Sequence, residues 1–412
     1  MRRVLAPLAA AAMALASGVA LGDNTGQDFS QIERGRYLAA AGDCAGCHTK
    51  PGGKNFAGGL PVATPFGIVI SPNITPDRET GIGLWSNDDF VRAMTEGIRR
   101  DGANLYPAMP YVYYTKATRD DVLAIRAYLN TVPAVDNGVK ADQLPFPLSV
   151  RTDMAAWNKL YFTPGEFQPI SNKNAEWNRG AYLVEGLMHC GACHTPKNFA
   201  GGDEKGRPLQ GYALQGWFAP DLTTDDRRGI GSWSAGDLAA YLKTGHNRFS
   251  AATGPMADVV THSTSKMTDA DLHAVATYLK DQAPPNEKAP QPVAASDPAM
   301  KMGAAIYADE CSACHTPNGK GIANLFPSLA GSPNVQSTDP TSAIRIVLAG
   351  TQSVATDRAP TAPAMPAFGD TLDNREVAAV LTYIRNAWGN AAPLVSAGDI
   401  ARHRDSLAKG DE

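Results

Sequence analysis

The sequence predicts an all-α protein made of three small helical domains in tandem, and three observations predict it. A Cys-x-x-Cys-His pentad recurs at Cys44, Cys190 and Cys311. Just before each pentad stands a short helical pattern holding a glycine and a tyrosine: RGRYLAAAGDC, NRGAYLVEGLMHC and KMGAAIYADEC. Well after each pentad comes an amphipathic stretch: Val122, Ile125, Tyr128, Leu129; Leu272, Val275, Tyr278, Leu279; Val377, Val380, Tyr383, Ile384. Apolar residues at i, i+3, i+6 and i+7 make one buried stripe on a helix.

From the N-terminus onward, MRRVLAPLAAAAMALASGVALGDN reads as an export signal cut after Gly22, with two arginines, an Ala/Leu-rich apolar run and small residues at its end. Its removal moves the formal charge from −4 to −6. With 412 residues, 19% charged and 43% hydrophobic, the rest reads as soluble and globular with several cores. The first unit spans 23–150 and the second, with a preceding linker, 151–288. SPNITPDRETGIGLWSNDDFVRAMTEG from Ser71 returns as APDLTTDDRRGIGSWSAGDLAAYLKTG from Ala219, so these two units are close relatives. The Pro-rich stretch APPNEKAPQPVAASDPA opens the way to a third unit, 289–392, and a polar tail follows over 393–412. No basic stripe suggests nucleic acid, and no later apolar run reaches the length of a membrane-spanning helix.

All six cysteines lie in the three pentads, as do three of only eight histidines. Disulfides would suit an exported chain but do not require histidine beside the second cysteine. Zinc wants four ligands, and each pentad offers three from one tight turn. Covalent haem accounts for every member: Cys44 and Cys47, Cys190 and Cys193, Cys311 and Cys314 form thioethers, and His48, His194 and His315 become proximal iron ligands. Three covalently bound haem c groups are therefore expected.

Opening helix, attachment pentad and closing helix together resemble the class I cytochrome c domain, repeated three times over nearly all of the mature chain. The resemblance implies a distal methionine on each haem, which raises the reduction potential relative to two histidines. Met109 in YPAMPYVYY and Met365 in APAMPAFGDTL stand in proline-bracketed loops before the closing helices. In the second unit Met256 matches the repeat spacing, with Met267 and His262 as the nearby alternatives. Met267, directly before TDADL, is expected to pack under a helix, and His189 to be a polar group at the surface or haem edge. A carbonyl commonly fixes a ligating imidazole, and Pro72, Pro220 and Pro327 are candidates, loop stiffening being the other reading of these prolines.

Three six-coordinate haems leave no open iron position, so the expected activity is passage of electrons. The three pentads, the two TGIG-type segments, GPMADVV and MPAFGDTL further resemble the triple-haem cytochrome subunit of membrane-associated bacterial dehydrogenases that oxidise alcohols, aldehydes, gluconate, sorbitol or fructose. That resemblance implies a periplasmic chain attached through a complex to the outer face of the inner membrane. A separate quinone- or flavin-dependent dehydrogenase subunit would supply electrons and ubiquinone would take them, with no oxidation of organic substrate by this chain alone. The C-terminus departs from the family: GNAAPLVSAGDIARHRDSLAKGDE is mostly polar, which argues against an amphipathic membrane anchor there. An autonomous multihaem enzyme such as a cytochrome c peroxidase is the alternative, and it would need a vacant or displaceable distal position. A structural zinc module is a further rival, which a red purified protein would exclude.

Overall fold

The computed structural model describes residues 28–409; the leader expected over 1–22 lies outside them. In each unit an opening and a closing helix cross: Phe29–Ala41 on Arg119–Leu129, Ala175–Tyr182 on Asp269–Leu279, and Pro298–Ile306 on Asn374–Ile384. The glycines of the opening helices explain how closely they meet. A Cβ at Gly35 would lie 1.8 Å from the Ala124 carbonyl oxygen, one at Gly180 1.9 Å from that of Ala274, and one at Gly303 2.1 Å from that of Ala379. Glycine costs an isolated helix about 1 kcal/mol relative to alanine. Here it is the residue that lets backbone touch backbone.

The stripes of the closing helices face these crossings. Val122, Ile125, Leu129, Leu272, Val275, Leu279, Val377, Val380 and Ile384 are all buried. Side-chain caps set where the helices start: Thr118 and Thr268 accept from the amides of Asp121 and Asp271, and Asp373 forms a reciprocal capping box with Glu376. The repeated Trp-Ser-x-x-Asp segments fold alike for the same reason. Ser86 with Asp89 and Ser234 with Asp237 make capping boxes that open the helices Asn87–Glu96 and Ala235–Thr244, and each helix stops at a left-handed glycine, Gly97 or Gly245.

The structure adds three features to the sequence reading. It is mostly helical rather than all-α, because short antiparallel ladders pair Pro61–Thr64 with Gly67–Ile70, Tyr212–Leu214 with Trp217–Ala219, and Thr351–Gln352 with Ala364–Met365. Local chemistry accounts for the first two. Val62, Thr64, Ile68, Val69 and Ile70 suit a pleat, and Gln215 and Gly216 both adopt positive φ, 49° and 68°, as a tight hairpin turn requires. Second, the first two units share one hydrophobic core in which Leu38, Ile125 and Leu129 join Leu183, Leu187, Leu272 and Val275. The third unit has cores of its own around Ile344, Leu381 and Ile400 and around Tyr307, Val380 and Ile384. Third, the polar tail contains the helix Ala397–Lys409, docked on the third unit by the fully buried Ile400 and by Arg404, whose guanidinium reaches the carbonyls of Gly369 and Leu372. Among the described residues no helix is long and apolar enough to cross a membrane.

Candidate functional site

The pentads fold as single helical turns directly after the opening helices: Cys44–His48, Gly191–His194 behind Cys190, and Ser312–His315 behind Cys311. In the second and third units the opening helix first widens into a π-helical turn, Leu183–Leu187 and Tyr307–Cys311. Helical geometry puts the two sulfurs, at i and i+3, on one face, with the imidazole at i+4 beside them. All six thiols are unpaired. Burial first, then neighbouring acidic groups or thiols, pushes Cys44 and Cys190 up to about 12 and Cys311 to about 11. At neutral pH these remain thiols, which suppresses thiolate-driven oxidation of each pair.

The imidazoles are held the same way three times. His48 Nδ1 lies 2.7 Å from the Pro72 carbonyl oxygen, His194 Nδ1 2.6 Å from that of Pro220, and His315 Nδ1 3.0 Å from that of Pro327. A carbonyl can only accept, so Nδ1 carries the proton and Nε2 keeps its lone pair. Burial lowers the pKa of all three rings against the opposing pull of the proline carbonyls, which favours the neutral form a metal needs. The three prolines thus orient the imidazoles as well as shaping the loops.

Met109 sits in a turn whose backbone links Tyr106, Met109 and Tyr111, ahead of the short helix Tyr111–Tyr114. Met256 is the second residue of the helix Pro255–His262, and Met365 ends a strand rather than lying in an open loop. All three are half-buried. Met267, by contrast, is 1% exposed and sealed in the shared core, which separates it from Met256 as a candidate ligand. His262 is half-buried, and its Nδ1 has no hydrogen-bond partner among the described residues. His189 lies where the first two units meet, its ring edge-on to Tyr114 at 5.5 Å.

The residues present fit covalent haem. Each unit offers two unpaired thiols on one face, an imidazole oriented through Nδ1 and a thioether that its core leaves partly open. Buried donors at Trp233 Nε1 and Arg126 Nη1 have no acceptor among the described residues, a lack that a carboxylate-bearing group would relieve. Among the described residues no three His, Cys, Asp or Glu side chains converge as a directly ligated metal would require.

Sequence reasoning missed Arg385 and the contacts between units. Arg385 is fully buried and donates to the carbonyls of Val335, Ser337 and Pro393 at 2.8–3.3 Å. Its apolar neighbours in the sequence gave no sign of this.

The sequence profile of the cytochrome c family matches residues 32–133, 178–283 and 300–388. The cytochrome c subunit of a quinone-dependent alcohol dehydrogenase from Gluconacetobacter polyoxogenes is 39% identical over 98% of this chain and 91% of its own length. The gluconate 2-dehydrogenase cytochrome c subunit of Pantoea cypripedii is 42% identical over 94% of this chain and 92% of its own. The fructose dehydrogenase cytochrome subunit of Gluconobacter japonicus is 38% identical, with 90% and 82% covered.

Proposed function

This chain belongs to the cytochrome c family, and on that premise we propose that it is the triple-haem electron-transfer subunit of a periplasmic dehydrogenase complex. Its haems are attached at Cys44 and Cys47, Cys190 and Cys193, and Cys311 and Cys314. His48 with Met109, His194 with Met256, and His315 with Met365 would hold the three irons. Bound haem supplies reversible one-electron exchange at its iron. The chain's own residues do the rest: the cysteines fix each ring in place, the proline carbonyls hold the histidines in the ligating tautomer, and the methionines close the distal side.

The observation that carries this reading is the threefold recurrence of an imidazole hydrogen-bonded to a proline carbonyl beside two free thiols. The relatives, named as cytochrome subunits of alcohol, gluconate and fructose dehydrogenases, support a separate dehydrogenase subunit as electron donor. Ubiquinone in the inner membrane is the proposed acceptor, reached by peripheral association through the complex. The unit boundaries near residues 150, 288 and 392 belong to the same proposal. The mass of the denatured mature chain tests it: three haem equivalents above the polypeptide are expected, and fewer would overturn the count.

A further inference from the structure

The first two units are joined by a pair of reciprocal contacts. Tyr37 of the first reaches across to Asp271 of the second at 2.5 Å, and Tyr182 of the second reaches back to Asp121 of the first, also at 2.5 Å. Each carboxylate is already held by its own unit's arginine, Arg179 on Asp271 at 2.7 Å and Arg34 on Asp121 at 2.6 Å. Each phenol oxygen also accepts from the amide that opens the other unit's closing helix, Thr268 at 3.3 Å and Thr118 at 3.2 Å. The sequence writes this arrangement twice, as Arg-Gly-x-Tyr at 34–37 and 179–182 and as Thr-x-x-Asp at 118–121 and 268–271. The third unit lacks it. Met302 stands before Gly303, the tyrosine is shifted to Tyr307, and its hydroxyl donates to Thr316 within its own unit at 2.6 Å.

The same pairing brings each unit's distal segment onto the other's attachment turn. Tyr113, four residues past Met109, donates to Asp203 at 2.6 Å and accepts from Lys197 at 3.1 Å, and Lys197 also holds the Gly191 carbonyl inside the second pentad at 2.8 Å. Gly191 is glycine because a Cβ there would sit 2.9 Å from the Tyr113 ring. In the opposite direction the Met256-bearing helix Pro255–His262 packs on Cys44–His48, and Ser263 donates to the Ala41 carbonyl at 3.1 Å.

We propose that units one and two form a fixed electron-exchange pair, in which Tyr37, Tyr182 and Tyr113 are positioning residues that lock the two attachment turns, and with them the first two haems, in one relative placement. The exchange is one electron from a ferrous to a ferric centre, with no bond made and no proton moved. The proposal rests on the haem and axial-ligand reading above. Phenylalanine at these positions keeps the ring and removes only the hydroxyl that spans the units.

The experiment uses the full haem-loaded chain, with Y37F/Y182F and Y113F as variants and Y307F as the control, which loses a hydroxyl bond inside the third unit only. Haem content and the methionine charge-transfer absorption are recorded first. Electrons are then injected by flash photoreduction well below the melting temperature, and their redistribution among the haems is followed. The expected result is three haems and intact methionine absorption in every variant, with redistribution slowed severalfold in Y37F/Y182F and in Y113F but not in Y307F. Unchanged redistribution in both pair variants, or equal slowing in Y307F, would overturn the pair. Absence of the methionine absorption from the parent chain would instead overturn the ligand reading, and the pair with it.

Discussion

Gly303→Ala sets two effects of opposite sign against each other. Helix propensity alone predicts that alanine stabilises the opening helix Pro298–Ile306 by about 1 kcal/mol. The crossing predicts the reverse, because the new Cβ would lie 2.1 Å from the Ala379 carbonyl oxygen and 2.7 Å from the Tyr383 Cβ, where ordinary contacts begin near 3.4 Å. Helix and partner must separate by more than an ångström, and the obstacle is backbone, so it cannot turn aside. Overpacking of this kind costs about 3 kcal/mol. The net is a loss of about 2 kcal/mol, which for a unit of this size lowers the melting temperature by roughly 8–16 °C. The assay is thermal unfolding of the haem-loaded protein followed by circular dichroism. Gly236→Ala is the control, since its Cβ would meet only the Ser234 hydroxyl at 3.7 Å, and it should melt at or slightly above the parent. If Gly303→Ala also melts at or above the parent, the close-crossing argument is wrong.

Three further outcomes are expected. Met256→Leu should remove one methionine charge-transfer absorption, whereas Met267→Leu should keep all of them and cost less than about 1.5 kcal/mol as a volume-conserving core change. Arg385→Met strands the carbonyls of Val335, Ser337 and Pro393, so chemical denaturation should show a loss of about 3 kcal/mol. Burial raises Asp43 to about 7, and its Oδ1 has no hydrogen-bond partner among the described residues. The folded state therefore holds this proton more tightly than the unfolded state, so stability falls as pH rises from about 4 to 7 and the penalty is complete above that. Asp43→Asn should accordingly stabilise the protein by on the order of 1–3 kcal/mol at pH 8 and by little at pH 4, as measured by denaturant titration at the two pH values.

The attachment pentads and the proline carbonyls beside their histidines are local features, legible for that reason. A pentad fits into one helical turn, a stripe of four apolar residues defines one face, and a proline placed after each pentad can offer its carbonyl to the ring. Met256 and Met267 are the same residue type eleven positions apart; repeat spacing and the TDADL helix start already favoured burial of Met267, and the packing shows it sealed while Met256 is half-open. The ladders escaped notice because two to four residues are too few for alternation to stand out, although the Gln215–Gly216 turn was a usable signal. The joining of the first two units was hidden by distance along the chain, since Tyr37 and Asp271 lie 234 residues apart. The doubled Arg-Gly-x-Tyr, absent from the third unit, was an unused signal that those two belong together. The C-terminal helix looked like a polar tail because Ile400 is its one buried residue and its other anchor is an arginine, Arg404.

Haem reduction by substrate, with and without the dehydrogenase subunit, tests the electron-relay account most directly. The purified haem-loaded chain is offered alcohols, aldehydes and sugar acids while its haem absorbance is followed; the co-purifying dehydrogenase subunit is added next, and a ubiquinone analogue last. The account predicts no reduction by substrate alone, reduction of all three haems once the partner is present, and reoxidation by the quinone. Sustained substrate oxidation by the isolated chain with ferricyanide, or haems that stay oxidised in the assembled complex, would contradict it.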